Sequence, residues 1–512
     1  MGAHARYVVL AAATVASLSC GLNYSFSAYA PQLAARLALT STQTNAVGAA
    51  GNMGVYLSSP FIGRMVDCRG PKPTLVFAAF ALTAGYLIIR AFYLSGTTEE
   101  GLFERFGLPG LVAAELLTGM GSTAGLSSAG NSVAKSFRKR RAAALSVVLS
   151  GFGLSAFFYS TLSSLFLHPR HRSSSSHLSS PSFAPLSMLA LKKRAPESDL
   201  TSDFLLLLAL GSLVSMLVGL AFVRPVLREA DAAKDCSTTG GEEEDEVDAE
   251  SVAAEIDTER PDSSPSALAS TERTPLLRSQ SSKSTSSVVP DRNITGLALL
   301  RELDFYLIFL FNGLCAGVGL CYINNLGTVV RALPSSSSSP APNPALLQSR
   351  LVSLLSIFNC LGRLLSGFGS DYLLHHRLLP LPRVFWLPLT ASLLLSSQLA
   401  ALAVSSPRAL WIPTALTGLA HGCLFGLSGI IGLERFGIKS WSQTNGVLAL
   451  APAIFGQSTN LLFGTIYDSR ANLVGKARYT PAFWMTSGMA LCAVGVGAWL
   501  AGGRSEMRRR AG

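Results

Sequence analysis

Two ionisable side chains stand inside long apolar stretches of this chain, Glu115 and His421. An ionisable group is costly inside a lipid bilayer, so it is a functional candidate wherever the stretch is long enough to cross one. An imidazole titrates near neutral pH, and His421 therefore suits a coupling proton. The glycines beside His421 equally fit a hydrogen bond across a tight helix contact. Glu115 has the same two interpretations, a proton site or a hydrogen bond to a neighbouring helix.

Arg363 is the third ionisable candidate, and it follows Asn359 by four residues. That spacing places both side chains on one helix face. An arginine that faces a cavity can hold a carboxylate through two parallel hydrogen bonds. The alternative is a structural arginine near the end of its helix.

Polar residues elsewhere in the apolar stretches are candidates for solute contact or for helix–helix hydrogen bonds. They are Asn23, Tyr24, Asn312, Tyr322, Asn324, Asn325, Gln457 and Asn460.

Composition indicates the elements that must position these groups. The chain has 512 residues, of which 49% are hydrophobic and only 14% are charged, whereas about a quarter are charged in an average soluble protein. Repeated apolar runs of about 20 residues are typical of transmembrane helices. We predict twelve spans, at 6–30, 43–66, 74–95, 108–134, 141–167, 201–223, 303–331, 349–370, 383–404, 409–433, 442–466 and 481–502.

Basic residues give the predicted orientation. The formal net charge is +11, and Lys and Arg cluster at 64–72, at 135–141 and in the tail at 508–510. With twelve spans these three segments lie on one side of the membrane, which the positive-inside bias makes cytoplasmic. Both termini are therefore predicted to be cytoplasmic. Because the basic residues flank apolar spans and do not line one soluble face, the sequence does not favour nucleic-acid binding.

A charged turn repeats along the chain. Span two ends in a Gly-x-x-x-Asp motif followed by a basic Gly turn, and span eight ends in a second Gly-x-x-x-Asp motif 304 residues later. The residues are Gly63, Asp67, Arg69 and Gly70 in the first copy, and Gly367 and Asp371 in the second. Glycine-rich runs at Thr118–Gly130 and Thr417–Gly429 also echo each other. The chain is thus predicted to consist of two related halves.

The predicted fold is all-α: twelve transmembrane helices in two pseudo-symmetric six-helix halves. The first half covers 1–223 and the second 303–512. Residues 224–302 contain the acidic run GEEEDEVDAE and many Ser and Pro, a composition that cannot bury enough apolar surface to fold alone. We predict that this segment is a disordered cytoplasmic linker.

This layout, with the Gly63–Lys72 turn, resembles the major facilitator superfamily. The sequence from Tyr24 to Pro73, and the span-eight run IFNCLGRLLSGFGSD, are similar to its nodulin-like branch, especially to fungal permeases that resemble monocarboxylate transporters. The resemblance implies that Asp67 and Asp371 hold a cytoplasmic gate by contacting a basic group and a helix end. A simple solvated turn is the alternative for Asp67. Asn359 stands where monocarboxylate transporters carry an acid, and span one has no lysine.

The resemblance implies a secondary active transporter and not an enzyme. It would move a small organic solute, such as a monocarboxylate, across the vacuolar membrane by alternating access, driven by protons. The alternative is a transporter-like nutrient sensor that signals through the acidic linker. The sequence shows no Walker loop, zinc-ligand spacing or nucleophile elbow, so we expect no cofactor and no metal.

The linker also contains a candidate sorting signal. Glu272, Leu276 and Leu277 fit the acidic dileucine pattern Glu-x-x-x-Leu-Leu, which clathrin adaptors read. The expected partners are therefore the lipid bilayer, a small solute, protons and a clathrin adaptor.

Overall fold

The apolar stretches form helices, since a backbone inside a bilayer must satisfy its own hydrogen bonds. The computed structural model describes residues 2–97, 101–137, 140–166, 197–225, 294, 296–333, 344–376, 381–470 and 472–502. Every regular element within these ranges is a helix, which confirms the all-α prediction.

Eight helical elements make up the first half. They are α1 (Gly2–Cys20), a 3₁₀ turn (Leu22–Ser25), α2 (Phe26–Arg36), α3 (Ser41–Arg69), α4 (Pro71–Ser95), α5 (Leu102–Ser136), α6 (Arg141–Phe166) and α7 (Glu197–Phe222).

The long helices of the second half are α8 (Leu303–Ala332), α9 (Pro344–Leu374), α10 (Trp386–Ala403), α11 (Trp411–Phe436), α12 (Trp441–Leu448), α13 (Leu450–Ser469) and α14 (Thr480–Gly502). Helices α12 and α13 follow one another directly and form one span, Trp441–Ser469. Most of the linker between α7 and α8 lies outside the described residues, so the predicted domain boundaries stay a prediction. Its last residues are described: Gly296–Arg301 form a 3₁₀ turn, and Leu299 is buried against the second half. The disorder predicted over 224–302 therefore does not extend to these residues.

Ten segments of the described chain are long and apolar enough to cross a membrane by length and composition. Helices α3 and α5, with 29 and 35 residues, are also long enough to span, but their Gly, Ser and Thr content makes them less apolar. Together they give the twelve predicted helical segments.

Span one differs from the continuous helix predicted over 6–30. It breaks after Cys20 into the 3₁₀ turn, and α2 then continues to Arg36. Gly21 lies so close to α6 that a β-carbon there would meet the Phe152 carbonyl and the Ser155 hydroxyl. The helix breaks at this point of close approach. The 3₁₀ turn that follows carries Asn23 and Tyr24.

Glycines bring equivalent helix pairs into backbone contact in each half. Between α3 and α5, a β-carbon on Gly54 would meet the Leu116 carbonyl. Between α9 and α11, a β-carbon on Gly422 would meet the Asn359 carbonyl. Small residues of this kind let membrane helices approach closely. The glycine-rich runs predicted to echo each other occupy these two contacts.

We predict that Gly422→Val destabilises the protein by about 1–3 kcal/mol, because the added methyl groups must displace the α9 backbone. Gly488→Val is the matched control, since no atom lies within 4 Å of a β-carbon at Gly488. Thermal unfolding in detergent measures both. Equal melting temperatures for the two variants would contradict the tight α9–α11 contact.

Candidate functional site

Arg363 joins the two halves at the centre of the candidate site. Its side chain is only 2% exposed. Nε donates to Oδ1 of Asn359 at 2.9 Å, and Nη1 donates to the backbone carbonyl of Leu149 on α6 at 2.6 Å. The predicted placement of Asn359 and Arg363 on one face is thus seen as a hydrogen bond.

Two aromatic rings, one from each half, flank the Arg363 guanidinium. Its central carbon lies 5.2 Å from the ring centre of Phe152 and 5.8 Å from that of Phe425. Rings at this distance stabilise a cation through their electron-rich faces. The sequence analysis did not predict either phenylalanine. The sequence alone does not show which phenylalanine side chains lie next to Arg363 once the helices pack.

The depth of Arg363 follows from its position in α9. It precedes Asp371 by eight residues, which at 1.5 Å per residue is about 12 Å of helix. The hydrocarbon half-thickness of a bilayer is about 15 Å. Arg363 therefore lies near the middle of the membrane. Within the described residues, its Nη2 group has no hydrogen-bond partner.

Tyr24 reaches the same place from the 3₁₀ turn. Its ring packs edge-on against Phe152, with the ring centres 5.7 Å apart. Tyr56 on α3 is buried and lies near both Tyr24 and Arg363. Tyr56 was not predicted, although a large polar side chain within the small-residue helix α3 was a usable signal.

His421 lies beside this group on α11 and is 1% exposed. Its ring packs against Phe425 with the ring centres 4.8 Å apart, and Gly319 of α8 leaves the space for it. Neither ring nitrogen has a hydrogen-bond partner within the part of the chain that the structure describes. The hydrogen bond across a helix contact that the sequence left open is therefore not formed there.

Glu115 lies in a second polar group, inside the first half. It is 1% exposed, and the Tyr29 hydroxyl donates to its Oε2 at 3.2 Å. Next to it, Nδ2 of Asn23 donates to the Gly51 carbonyl at 3.0 Å. The Thr118 hydroxyl lies 3.4 Å from Oδ1 of Asn23. Asn23 and Tyr24 thus connect the two groups through one turn of backbone.

Two predicted site residues do not join either group. The Tyr322 hydroxyl pairs with that of Thr414 at 2.9 Å within the second half, and Asn324 is exposed. Its neighbour Asn325 donates to Asn460 at 3.2 Å, which is a helix–helix bond. A role of Tyr322 and Asn324 in solute binding stays a prediction.

Asp67 caps a helix of the opposite half. Its carboxylate accepts hydrogen bonds from the backbone N–H of Gln443 at 2.8 Å and from Nδ2 of Asn131 at 2.7 Å. Gln443 is in the first turn of α12, where the helix dipole favours a negative charge. Gly63 leaves room for the Ser442 backbone.

Asp371 makes the symmetry-related contact. Its Oδ2 accepts from the backbone N–H of Ala143, in the first turn of α6, at 2.9 Å. Arg383 forms an ion pair with Asp371 and a second one with Glu434. Gly367 packs on Ser146 in the same contact.

The remaining motif residues shape the turn that follows Asp67. Arg69 is exposed, and Gly70 has a φ of 79°, which favours glycine at a helix end. We call the membrane face at which Asp67 and Asp371 lie the motif side.

Residues 226–293 of the predicted linker, with the Glu272–Leu277 motif, fall outside the described residues. No group of His, Cys, Asp or Glu that could hold a metal ion occurs among the residues searched, which are the described ones. Cys20, Cys315, Cys321 and Cys423 are buried free thiols, in accord with a packing role.

Comparisons with known proteins agree with this arrangement. The model of the Major Facilitator Superfamily matches residues 11–437, and the chain belongs to that family. It is accordingly a multi-pass membrane protein of a transporter superfamily.

The chain is also similar in sequence to individual proteins and in fold to a solved structure. The "Probable transporter mch1" of Neurospora crassa is 24% identical over 99% of this chain and 91% of its own length. The "Protein NUCLEAR FUSION DEFECTIVE 4" of Arabidopsis thaliana is 31% identical over 34% of this chain and 28% of its own length. The proton:xylose symporter XylE shares the fold with a TM-score of 0.58 at 12% identity, over 96% of this chain and 95% of that one.

We predict that Asp371→Asn opens the motif side. The substitution weakens the cap on Ala143 and leaves Arg383 with Glu434 alone, while the helices keep their own packing. A cysteine placed at the buried position of Ser146, in a background without other reactive cysteines, should react with a water-soluble maleimide at least about tenfold faster, which corresponds to about 1.4 kcal/mol. Asp468→Asn is the control, since Asp468 is exposed. Equal rates in the two variants would contradict a closing role for Asp371.

Proposed function

We propose that this protein is a proton-driven secondary transporter of a small organic solute carrying one carboxylate, acting across the vacuolar membrane by alternating access. The supporting observation is Arg363: a cation near the membrane centre, held by both halves, with one hydrogen-bonding group unused. An anion that enters the site can accept hydrogen bonds from this group.

A carboxylate suits the unused part of the guanidinium. Charge-assisted hydrogen bonds from arginine are about twice as strong as neutral ones. Asn359 is neutral, so no carboxylate of α9 already occupies Arg363. One cation matches one negative charge, which favours a monocarboxylate. Phe152 and Phe425 supply apolar walls for the body of the solute, and the free nitrogens of His421 provide further polar contacts.

Alternating access is supported by where the halves meet. Asp67 and Asp371 each bond a helix end of the opposite half on the motif side. Both carboxylate bonds run between the halves and not within one half, so they can break while each half keeps its own packing. In this fold, rocking of one repeat against the other exposes a central site to each side in turn.

Proton drive is supported by Glu115 and His421, which are buried ionisable groups within the spans. The structural neighbour XylE is a proton:xylose symporter, so the fold accommodates this coupling.

The test is solute uptake into vesicles of purified protein under an imposed pH gradient, with a panel of monocarboxylates, amino acids and organic cations. We expect Arg363→Gln to lower uptake of the transported carboxylate by about 10- to 100-fold, as for the loss of a charged hydrogen bond. Arg363→Lys keeps the charge without the fork geometry and should retain only part of the activity.

Arg350→Gln is the matched control, because Arg350 lies exposed on the same helix. Wild-type activity is expected for this variant. Uptake of a monocarboxylate that is unchanged in Arg363→Gln would refute the proposed solute site.

Vacuolar delivery is supported by the dileucine motif in the linker. Replacing both Leu276 and Leu277 by Ala should remove the adaptor contact and shift a fluorescent fusion from the vacuolar membrane to another membrane. Leu268→Ala, in the same linker, controls for the loss of a leucine outside the motif. A double variant that still reaches the vacuole would show that the motif is not the signal.

A further inference from the structure

Glu115 is a buried acid without a charged partner. The titratable groups that face it are Tyr29 of α2 and Tyr86 of α4. Helix α3 presents Gly51 and the 3₁₀ turn presents Asn23. Among the described residues no basic side chain contacts it. An ionised carboxylate in such a place needs additional hydrogen-bond donors.

One small space separates Glu115 from the Asn23 amide. A β-carbon built on Gly51 would lie 3.2 Å from Oε1 of Glu115 and 3.3 Å from Nδ2 of Asn23. Both polar atoms therefore border the room that glycine leaves open. In this structure Nδ2 of Asn23 donates to the Gly51 carbonyl. The Asn23 amide is therefore close to Glu115 without being bound to it.

The next residue, Tyr24, belongs to the Arg363 site. Tyr24 packs on Phe152, which in turn flanks the guanidinium, and Tyr56 lies near it. A 3₁₀ turn of four residues carries both side chains. Its hydrogen bonds are poorer than those of an α-helix, so a short turn of this type can shift without unfolding α1 or α2.

We propose that Glu115 is the proton-coupling acid of this transporter, and that the Asn23–Tyr24 turn relays its protonation state to the solute site at Arg363. Asn23 and Tyr24 are positioning residues in this scheme. The inference rests on the proposed transport function and specifies how its proton acts.

The hydrogen-bond donors near Glu115 decide whether its protonation raises or lowers the affinity for solute. When Glu115 releases its proton to water, the carboxylate attracts Nδ2 of Asn23 away from the Gly51 carbonyl. The turn then moves, and Tyr24 leaves its place beside Tyr56 and Phe152. When Glu115 takes up a proton, Asn23 returns to Gly51 and the solute site is restored. Protonation therefore favours solute binding, and by linkage bound solute favours protonation to the same extent.

The first test measures solute affinity in detergent at an acidic and a near-neutral pH, using a carboxylate that the uptake panel identifies. Wild-type affinity should be at least about 5-fold higher at the acidic pH. Glu115→Gln should bind with the same affinity at both values, and so should Asn23→Ala, which leaves the acid in place but removes its relay.

Two variants serve as comparisons. Asn325→Ala removes an asparagine bond in the second half and should keep the wild-type pH response. His421→Ala should also keep it, whatever its effect on affinity. A pH response that survives in Glu115→Gln, or that is lost in His421→Ala alone, would overturn the assignment.

The second test needs no solute. Hydrogen–deuterium exchange of the peptide containing Leu22–Ser25 is followed in wild type and in Glu115→Gln at both pH values. The intrinsic exchange chemistry is the same in both proteins, so the ratio of their rates isolates Glu115. We expect this ratio to change at least about 5-fold with pH. A constant ratio would overturn the relay even if transport is confirmed, whereas a changing ratio without uptake would count against the proposed solute alone.

Discussion

A single buried guanidinium, that of Arg363, sets the main constraint on this structure. A cation inside a bilayer is costly unless its environment replaces water. Here the replacement comes from both halves: a carbonyl and a ring of α6, an amide on α9 and a ring of α11. If the halves separate around Arg363, the guanidinium loses its contacts with one of them. A bound anion could replace those contacts.

The two aspartates on the motif side are also charged groups stabilised by the opposite half, in their case by the end of a helix. Asp67 and Asp371 each place a carboxylate on the first turn of a helix in the opposite half. The two contacts are not equal, because Asp371 adds an ion pair with Arg383, whereas Asn131 supports Asp67 with a neutral amide. The pseudo-symmetry thus extends to the backbone bonds but not to the charges around them.

The sequence predicted those parts of the molecule that depend on local pattern. Apolar length gave the helices, and the repeated Gly-x-x-x-Asp motif gave the two halves. Spacing placed Asn359 beside Arg363. What it missed depends on contacts between distant helices: the break of span one at Gly21, where α6 comes close, and the packing of Tyr24 on Phe152. Asn324 was included for its polarity, yet it lies exposed. Polarity identifies a residue type that needs a partner, but only the packing of helices decides which one it finds.

The buried base Arg363 and the buried acid Glu115 lie in separate groups of side chains. A carboxylate at position 359 would pair with Arg363 and compete with an anionic solute for it. This chain has Asn359 there, which holds the guanidinium without neutralising it. The buried acid among the described residues of the first half is Glu115, which bonds a tyrosine and no base among those residues. In the proposed scheme Arg363 takes the solute and Glu115 takes the proton. The turn that carries Asn23 and Tyr24 lies between the two groups. Asn23 bonds Gly51, which borders Glu115, and Tyr24 packs on Phe152, which flanks Arg363.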